Sequence, residues 1–249
     1  MPHFDKLTGR DVHIWPVSLP ISAPGPDLPF LPFLSPDERE RVARFQFERH
    51  RRAFTVARGA LRVLLGHYLD TSPGGISFEY GPRGKPKLLE PARVKFNVSH
   101  SGELAVFAFT LDGELGIDIE HVRPMPDMRE IAVQYFCEEE AEELMALPDD
   151  VRERAFFLCW TRKEAYIKAM GDGLSTALNA FRVTLRPDEP ARFIHLERDL
   201  DVAGKWTLHD LNLNPHYAAA LAYRDEPRPI LPQPLIELAE LVFSVLPKR

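Results

Sequence analysis

Cysteine is nearly absent from this sequence. Only Cys137 and Cys159 occur in 249 residues, too few for a disulfide framework or a four-thiolate metal site, and a usage that suits a reducing compartment. No apolar run approaches the roughly 20 residues needed to span a bilayer, so no membrane association is expected. The opening MPHFDKLTGR lacks the basic-then-apolar order of a secretion signal, which makes a cytoplasmic location the expectation. There is no G-x-x-x-x-G-K-[ST] loop and no G-x-G-x-x-G, so the common nucleotide cradles are missing and phosphate would have to be held otherwise. No G-x-S-x-G surrounds any serine, which sets a serine hydrolase aside. An excess of positive charge is lacking too: the formal charge of −6 argues against a general nucleic-acid binder.

What is present is ordinary globular composition, 45% apolar and 27% charged, with enough chain for one large domain or two small ones. The charge is unevenly spread. Between Arg39 and Arg62 eight arginines face only Glu40 and Glu48, a local +6 that leaves −12 for the rest. Such a patch on an acidic protein suits one anionic ligand or partner, or else it is a solvated arginine-rich helix face.

The first thirty or so residues, with VSLPISAPGPDLPFLPFLSP, read as proline-rich extended coil. Ser35, Pro36 and Glu38 form a capping-box pattern that predicts a helix start. RRAFTVARGALRVLLGHYL then carries apolar residues at three and four, a helical stripe with arginines opposite. From Ile76 the runs ISFEY, RVKFNVSH, LAVFAFT and LGIDIE predict antiparallel strands, punctuated by glycine, proline and Asp112-Gly113 turns. Helices return at MREIAVQYF, at EEEAEELMAL stopped by Pro148, and at VRERAFFLCWTRKEAYIKAM stopped by Gly171 and Gly173. Strands follow at FRVTL, RFIHL, KWTLHDL and HYAAALAY. After a proline-rich linker, LIELAELVFSVL predicts a short amphipathic helix that reads as an appendage.

Four constellations could carry chemistry. In LGIDIE, Asp118 and Glu120 lie two apart on a strand and face one way while Ile117 and Ile119 face the other. Paired carboxylates suit a hard cation such as Mg²⁺, or they are a solvated strand face. In WTRKEAYIKAM, Trp160, Glu164 and Lys168 share a helical face, where Glu164 and Lys168 could be only a surface ion pair. FNVSHSG ends a strand in Ser99, His100, Ser101 and a glycine, donors beside a backbone that could approach phosphate. In YGPRGKPKL, Lys85 follows a glycine turn and offers a point charge, or simply a basic loop.

In this order the motifs resemble the large, Sfp-type 4'-phosphopantetheinyl transferases, marked by (F)N-[IV]-SHS, G-[IV]-D-[IV]-E and W-x-x-K-E-[AS]-x-x-K. FNVSHSG, GIDIE and WTRKEAYIKAMGDGLS match at every marked position, and the likeness runs from about Ser35 to Tyr223. The resemblance implies transfer of the phosphopantetheine arm of coenzyme A to a serine of an apo acyl or peptidyl carrier protein, with release of adenosine 3',5'-bisphosphate. It implies Mg²⁺, with Mn²⁺ as a substitute, held by Asp118, Glu120 and Glu164. It places Lys168 on the pyrophosphate, where it could assist the leaving group, and Ser99, His100, Lys85 and Lys163 on coenzyme phosphates. An arginine of the basic helix would join them, Arg52 in preference to Arg51. The base for the serine proton would be Glu140 by alignment from Phe136, with Glu138, Glu139 or a metal-bound water as rivals.

The fold so implied is α/β (α+β), two pseudo-symmetric halves, each an antiparallel sheet with packed helices. Its expected bounds are 1–112, 113–225 and a 226–249 tail. A chain holding both halves is expected to act as a monomer, with no nucleic acid or membrane partner, and with the carrier docking beside the cleft, its acidic surface meeting basic residues of the +6 segment. Another Mg²⁺-dependent phosphotransferase or hydrolase, or a binding module without turnover, are the rival readings.

Overall fold

The computed structural model describes residues 5–19, 29–81, 84–89, 93–171, 177–196 and 206–244. Strand β1 is Val12–Ser18, followed by helices α1, Pro36–Arg44, and α2, Glu48–Leu69. Strands β2 (Phe78–Tyr80), β3 (Pro86–Leu88), β4 (Lys95–Ser101), β5 (Leu104–Thr110) and β6 (Leu115–His121) come next. Helices α3 (Met128–Tyr135), α4 (Glu138–Ala146) and α5 (Asp149–Met170) precede strands β7 (Phe181–Val183), β8 (Phe193–Leu196), β9 (Thr207–Asp210) and β10 (Tyr217–Tyr223). Strand β11 (Ile230–Pro232) and helix α6 (Leu238–Phe243) close the described chain. No helix among the described residues is long and apolar enough to cross a membrane.

The α+β class with antiparallel sheets is as expected. One sheet has the order β11-β1-β5-β4 and another β6-β10-β9, with two-stranded sheets β2-β3 and β7-β8 beside them. Strand β5 is buried on both faces. Its Ala105, Phe107 and Phe109 pack toward Val56, Ala60 and Leu64 of α2, while Leu104, Val106 and Ala108 join Ile117 and Ile119 of β6 in a core shared by the two sheets. The alternation of LGIDIE is thereby explained: its isoleucines enter the core between the sheets, and Asp118 lies on the other face, toward α5.

Helix α5 comes unusually close to that face. A Cβ at Gly116 would stand 2.1 Å from the carbonyl oxygen of Ala165 and 2.3 Å from the amide of Ala169. The alanines Ala218, Ala220 and Ala222 of β10 continue the low surface on which the helix rests. Small residues at these positions set the distance between β6 and the helix turn that carries Glu164 and Lys168.

Three expectations are corrected. The capping box at Ser35 forms, with the Ser35 amide 2.9 Å from Glu38, but Arg58 and Arg62 of α2 do not lie on a solvated face. Glu38 is buried with them, 2.8 Å from Arg62 Nε and 3.4 Å from Arg58, so two of the eight arginines neutralise an interior acid. Strand β1 replaces the expected coil. Its register pairs Pro16 with Val106, and Pro16 turns its carbonyl to the amide of Ile236, so the missing N–H falls on the tail-facing side, past the last β11 pair at Pro232. Nor is the tail an appendage: β11 pairs in parallel with β1, and Ile236 and Leu241 are buried in the core under α2.

Candidate active site

Strands β4 and β6 belong to different sheets, and the seam between them is made by side chains. Asn97, Ser99 and Ser101 alternate along β4 and reach one face. Asn97 Oδ1 accepts the Ile117 amide at 2.9 Å, Ser99 donates to Asp118 Oδ1 at 2.8 Å, and Ser101 donates to Glu120 Oε2 at 2.7 Å. The SHS and G-I-D-I-E motifs are thus two sides of one joint. Lys168 of α5 completes it, its Nζ 2.6 Å from Asp118 Oδ1 and 3.0 Å from Ser99 Oγ.

Beside this joint lies a cleft of about 420 Å³ lined by Gly84 and Lys85, by Phe96 to Val98, and by Glu164, Ile167 and Lys168. Lys85 reaches from the glycine turn to α5. Its Nζ donates to the Lys168 carbonyl at 2.7 Å and stands 3.9 Å from Glu114, and burial lowers its pKa below the ordinary lysine value. By capping a carbonyl in the last turn of α5, it ties the glycine turn to the helix end.

Glu164 is half-buried, and its carboxyl pKa is raised first by desolvation and then by the charge on Asp118, with Lys168 acting in the opposite sense. Asp118 is buried and its Oδ2 has no hydrogen-bond partner. An orphaned interior carboxylate oxygen, with a second acid nearby that resists ionisation, marks an environment short of positive charge. Among the described residues, no three His, Cys, Asp or Glu side chains converge closely enough to hold a metal ion as they stand. In this arrangement Lys168 supplies the counter-charge.

His100 lies on the opposite face of β4 from Ser99. The residue is exposed overall, yet crowding around the ring, and then the positive Lys168, hold its pKa below the ordinary imidazole value. Arg52 is partly buried with Nε lacking a hydrogen-bond partner, whereas Arg51 is exposed and paired with Glu48. Trp160 is partly buried and packs against the core at Phe156 and Phe136. The GLS at 173–175 lies outside the described residues.

Two expected site residues are elsewhere. Glu140 and Lys163 are fully buried and 2.7 Å apart. Glu140 also accepts the amides of Cys137 and Val183, at 3.1 and 2.8 Å, and Lys163 donates to the carbonyls of Leu178 and Phe181. A carboxylate closed off from solvent and held by a lysine and two amides cannot meet an incoming hydroxyl. The pair fastens α4 and α5 to β7, which corrects both the base assignment for Glu140 and the phosphate contact for Lys163. Glu138 and Glu139 are exposed, and Glu139 is held below the ordinary carboxylate range, first by its backbone hydrogen bond at the start of α4.

Residues 114–222 match the 4'-phosphopantetheinyl transferase superfamily, and residues 28–111 match the 4'-phosphopantetheinyl transferase, N-terminal family. Across the chain, the 4'-phosphopantetheinyl transferase HetI of Nostoc sp. is 40% identical over 220 residues, covering 87% of this chain and 89% of that one. The chain belongs to the 4'-phosphopantetheinyl transferases. The transferase Sfp of Bacillus subtilis is 32% identical over 159 residues, 64% of this chain and 70% of its own. A human relative, L-aminoadipate-semialdehyde dehydrogenase-phosphopantetheinyl transferase, is 27% identical over 207 residues, 77% of this chain and 67% of its own. As a phosphopantetheinyl transferase the chain is an enzyme, and the family implies coenzyme A and a carrier protein as its substrates.

Sequence reasoning missed Asn97 and Ser101 as parts of the joint. The signal was available: polar residues at 97, 99 and 101 share one parity on a strand whose other face carries Phe96 and Val98.

Proposed function

We propose that this enzyme moves the 4'-phosphopantetheine arm of coenzyme A onto a serine hydroxyl of an apo acyl or peptidyl carrier protein, with Mg²⁺, and releases adenosine 3',5'-bisphosphate. The observation that carries the reading is the meeting of Ser99, Asp118 and Lys168 at one point beside the cleft, one residue from each of three distant motifs. The unpartnered oxygen of Asp118 and the raised pKa of Glu164 fit a divalent cation there. Asp118, Glu120 and Glu164 would hold it, and it would supply Lewis-acid neutralisation of phosphate charge.

The remaining chemistry falls to the chain. Lys168 and Lys85 bring positive charge to the cleft, and Lys168 would leave Asp118 for a diphosphate oxygen. His100 and Arg52 are further phosphate contacts, Arg52 because its buried Nε has no other bond. The serine oxygen attacks the phosphorus next to the pantetheine, and the bond to the bridging oxygen breaks, so that oxygen leaves with the bisphosphate. The serine proton passes to a base outside the cation's ligands, the exposed Glu138 or Glu139 in place of the buried Glu140. Ser99, already shared by Asp118 and Lys168, holds Asp118 in place.

A carrier with an acidic surface would dock beside the cleft on the basic segment, where Arg44 at the end of α1 is exposed and Arg49 of α2 lies over the exposed ring of Phe47. Both halves reside on one chain, so a monomer suffices. Incubation with Mg²⁺, coenzyme A and a panel of apo-carriers, followed by intact mass, tests the reading. A gain of one phosphopantetheine on a carrier supports it; no gain on any carrier defeats it. R44E/R49E should slow carrier modification while leaving coenzyme affinity unchanged.

A further inference from the structure

Each acid of β6 is met by one hydroxyl of β4, with the same spacing of two residues on both strands. Ser99 spends its acceptor on Lys168 and its donor on Asp118. Ser101 is used just as fully: it donates to Glu120 Oε2 at 2.7 Å and accepts the His121 amide at 3.1 Å. Because that amide belongs to β6 itself, the hydroxyl is pinned by the strand that carries the acid it orients. With the amide holding the lone pair, the Ser101 proton points at Glu120. Among the described residues Glu120 also meets Arg123 Nη1, at 3.6 Å and from a half-exposed side chain, a longer and looser restraint.

We propose that Ser101 is the positioning residue for Glu120, fixing one oxygen of that carboxylate so that the other is presented toward Asp118 and Glu164 for a divalent cation. The inference rests on the reading of Asp118, Glu120 and Glu164 as the cation's ligands. It gives the second serine of the SHS motif a duty separate from phosphate. A carboxylate free to rotate would have to be ordered on binding, and removing such an outer hydrogen bond typically lowers metal affinity ~10–100-fold.

Mn²⁺ binding to the full-length protein, read from loss of the free-ion paramagnetic resonance signal, tests this with S101A, S101T and E120Q. S101A should weaken Mn²⁺ binding ~10-fold or more, E120Q at least as much, and S101T, which restores the hydroxyl on a strand that tolerates branching, should return it to within a few-fold of wild type. S101C, which keeps the side-chain shape but donates weakly, should behave as S101A. If S101A lowers only the thermal midpoint and binds Mn²⁺ as wild type while E120Q does not, Ser101 is structural and the proposal falls with the cation reading intact. S101T as weak as S101A also overturns it, since the hydroxyl would not be the cause. If E120Q binds as wild type, the cation reading itself fails.

Discussion

Lys168 Nζ stands 2.6 Å from Asp118 Oδ1, an ion pair between α5 and β6 that occupies the acid's one hydrogen-bonded oxygen. The lysine is an internal counter-ion in competition with any cation for the same acid. Lys168→Met should therefore tighten Mn²⁺ binding, by ~10-fold or more, since a unit charge a few ångströms away is worth several kcal/mol at an effective dielectric of about 20. Coenzyme A affinity should fall in the same variant. Paramagnetic resonance for the ion and calorimetry for the coenzyme measure the two separately. Weakened Mn²⁺ binding would mean that the lysine helps to build the cation site instead of standing in for the ion.

Gly116 is the point of closest approach between β6 and α5, and a methyl there meets backbone, not a flexible side chain. Gly116→Ala should force the helix outward, destabilise the protein by at least ~1–3 kcal/mol, and carry Glu164 and Lys168 away from Asp118. Urea unfolding measures the first effect, and coenzyme A calorimetry on the folded fraction measures the second. Unchanged stability would show that the helix shifts without resistance.

The site shows what was legible in the sequence. Asp118, Glu120, Glu164 and Lys168 lie at fixed spacings on strongly periodic elements, so their faces followed from the periods of strand and helix, whereas the close approach at Gly116 exists only once α5 packs on β6. Strand β1 was hidden because it is buried along nearly its whole length, which erases alternation, and because VHIWPVS contains a proline. Strand β11 ends in another proline and pairs with a strand at the other end of the chain, a contact that no local pattern encodes. The resemblance gave Glu140 the role of base and Lys163 a phosphate contact, because the pairing that buries them exists only once α4 packs on α5.

That buried pair gives its own test. Removing one partner leaves an uncompensated interior charge, typically destabilising by ~3–5 kcal/mol. Glu140→Gln and Lys163→Met should each lose stability on that scale, and the double variant should lose less than the sum. Turnover per folded molecule should stay within a few-fold of wild type. A hundredfold fall in kcat for Glu140→Gln at wild-type stability would restore Glu140 as the base.

The tail supplies a control beside its own prediction. Ile236 is buried and bridges Val17, while its neighbour Leu235 is half exposed. Ile236→Ala should cost ~2–5 kcal/mol in urea unfolding, and Leu235→Ala should stay within ~0.5 kcal/mol. Deleting residues 229–249 should prevent the first half from folding, because β1 would lose its parallel partner and the core under α2 would lose two side chains. Equal, small effects of the two point changes would return the tail to the status of an appendage.

Glu164 links the site to pH. Desolvation and then Asp118 raise its pKa, against the pull of Lys168, so the native protein holds this proton more tightly than the unfolded chain does. The sign follows: stability from this group falls as pH rises from the ordinary carboxylate range through the raised value, and above it the charged, half-buried acid is a standing loss. Glu164→Gln should thus be more stable than wild type at neutral pH without metal, and the gap should close below the ordinary carboxylate range. Added Mg²⁺ should stabilise wild type and not the variant, and should release protons within the same window. Thermal unfolding from pH 4 to 8 with and without Mg²⁺ measures both. A gap that stays constant across that range would mean the acid's charge is compensated in the free enzyme, leaving no electrostatic deficit for a cation to fill.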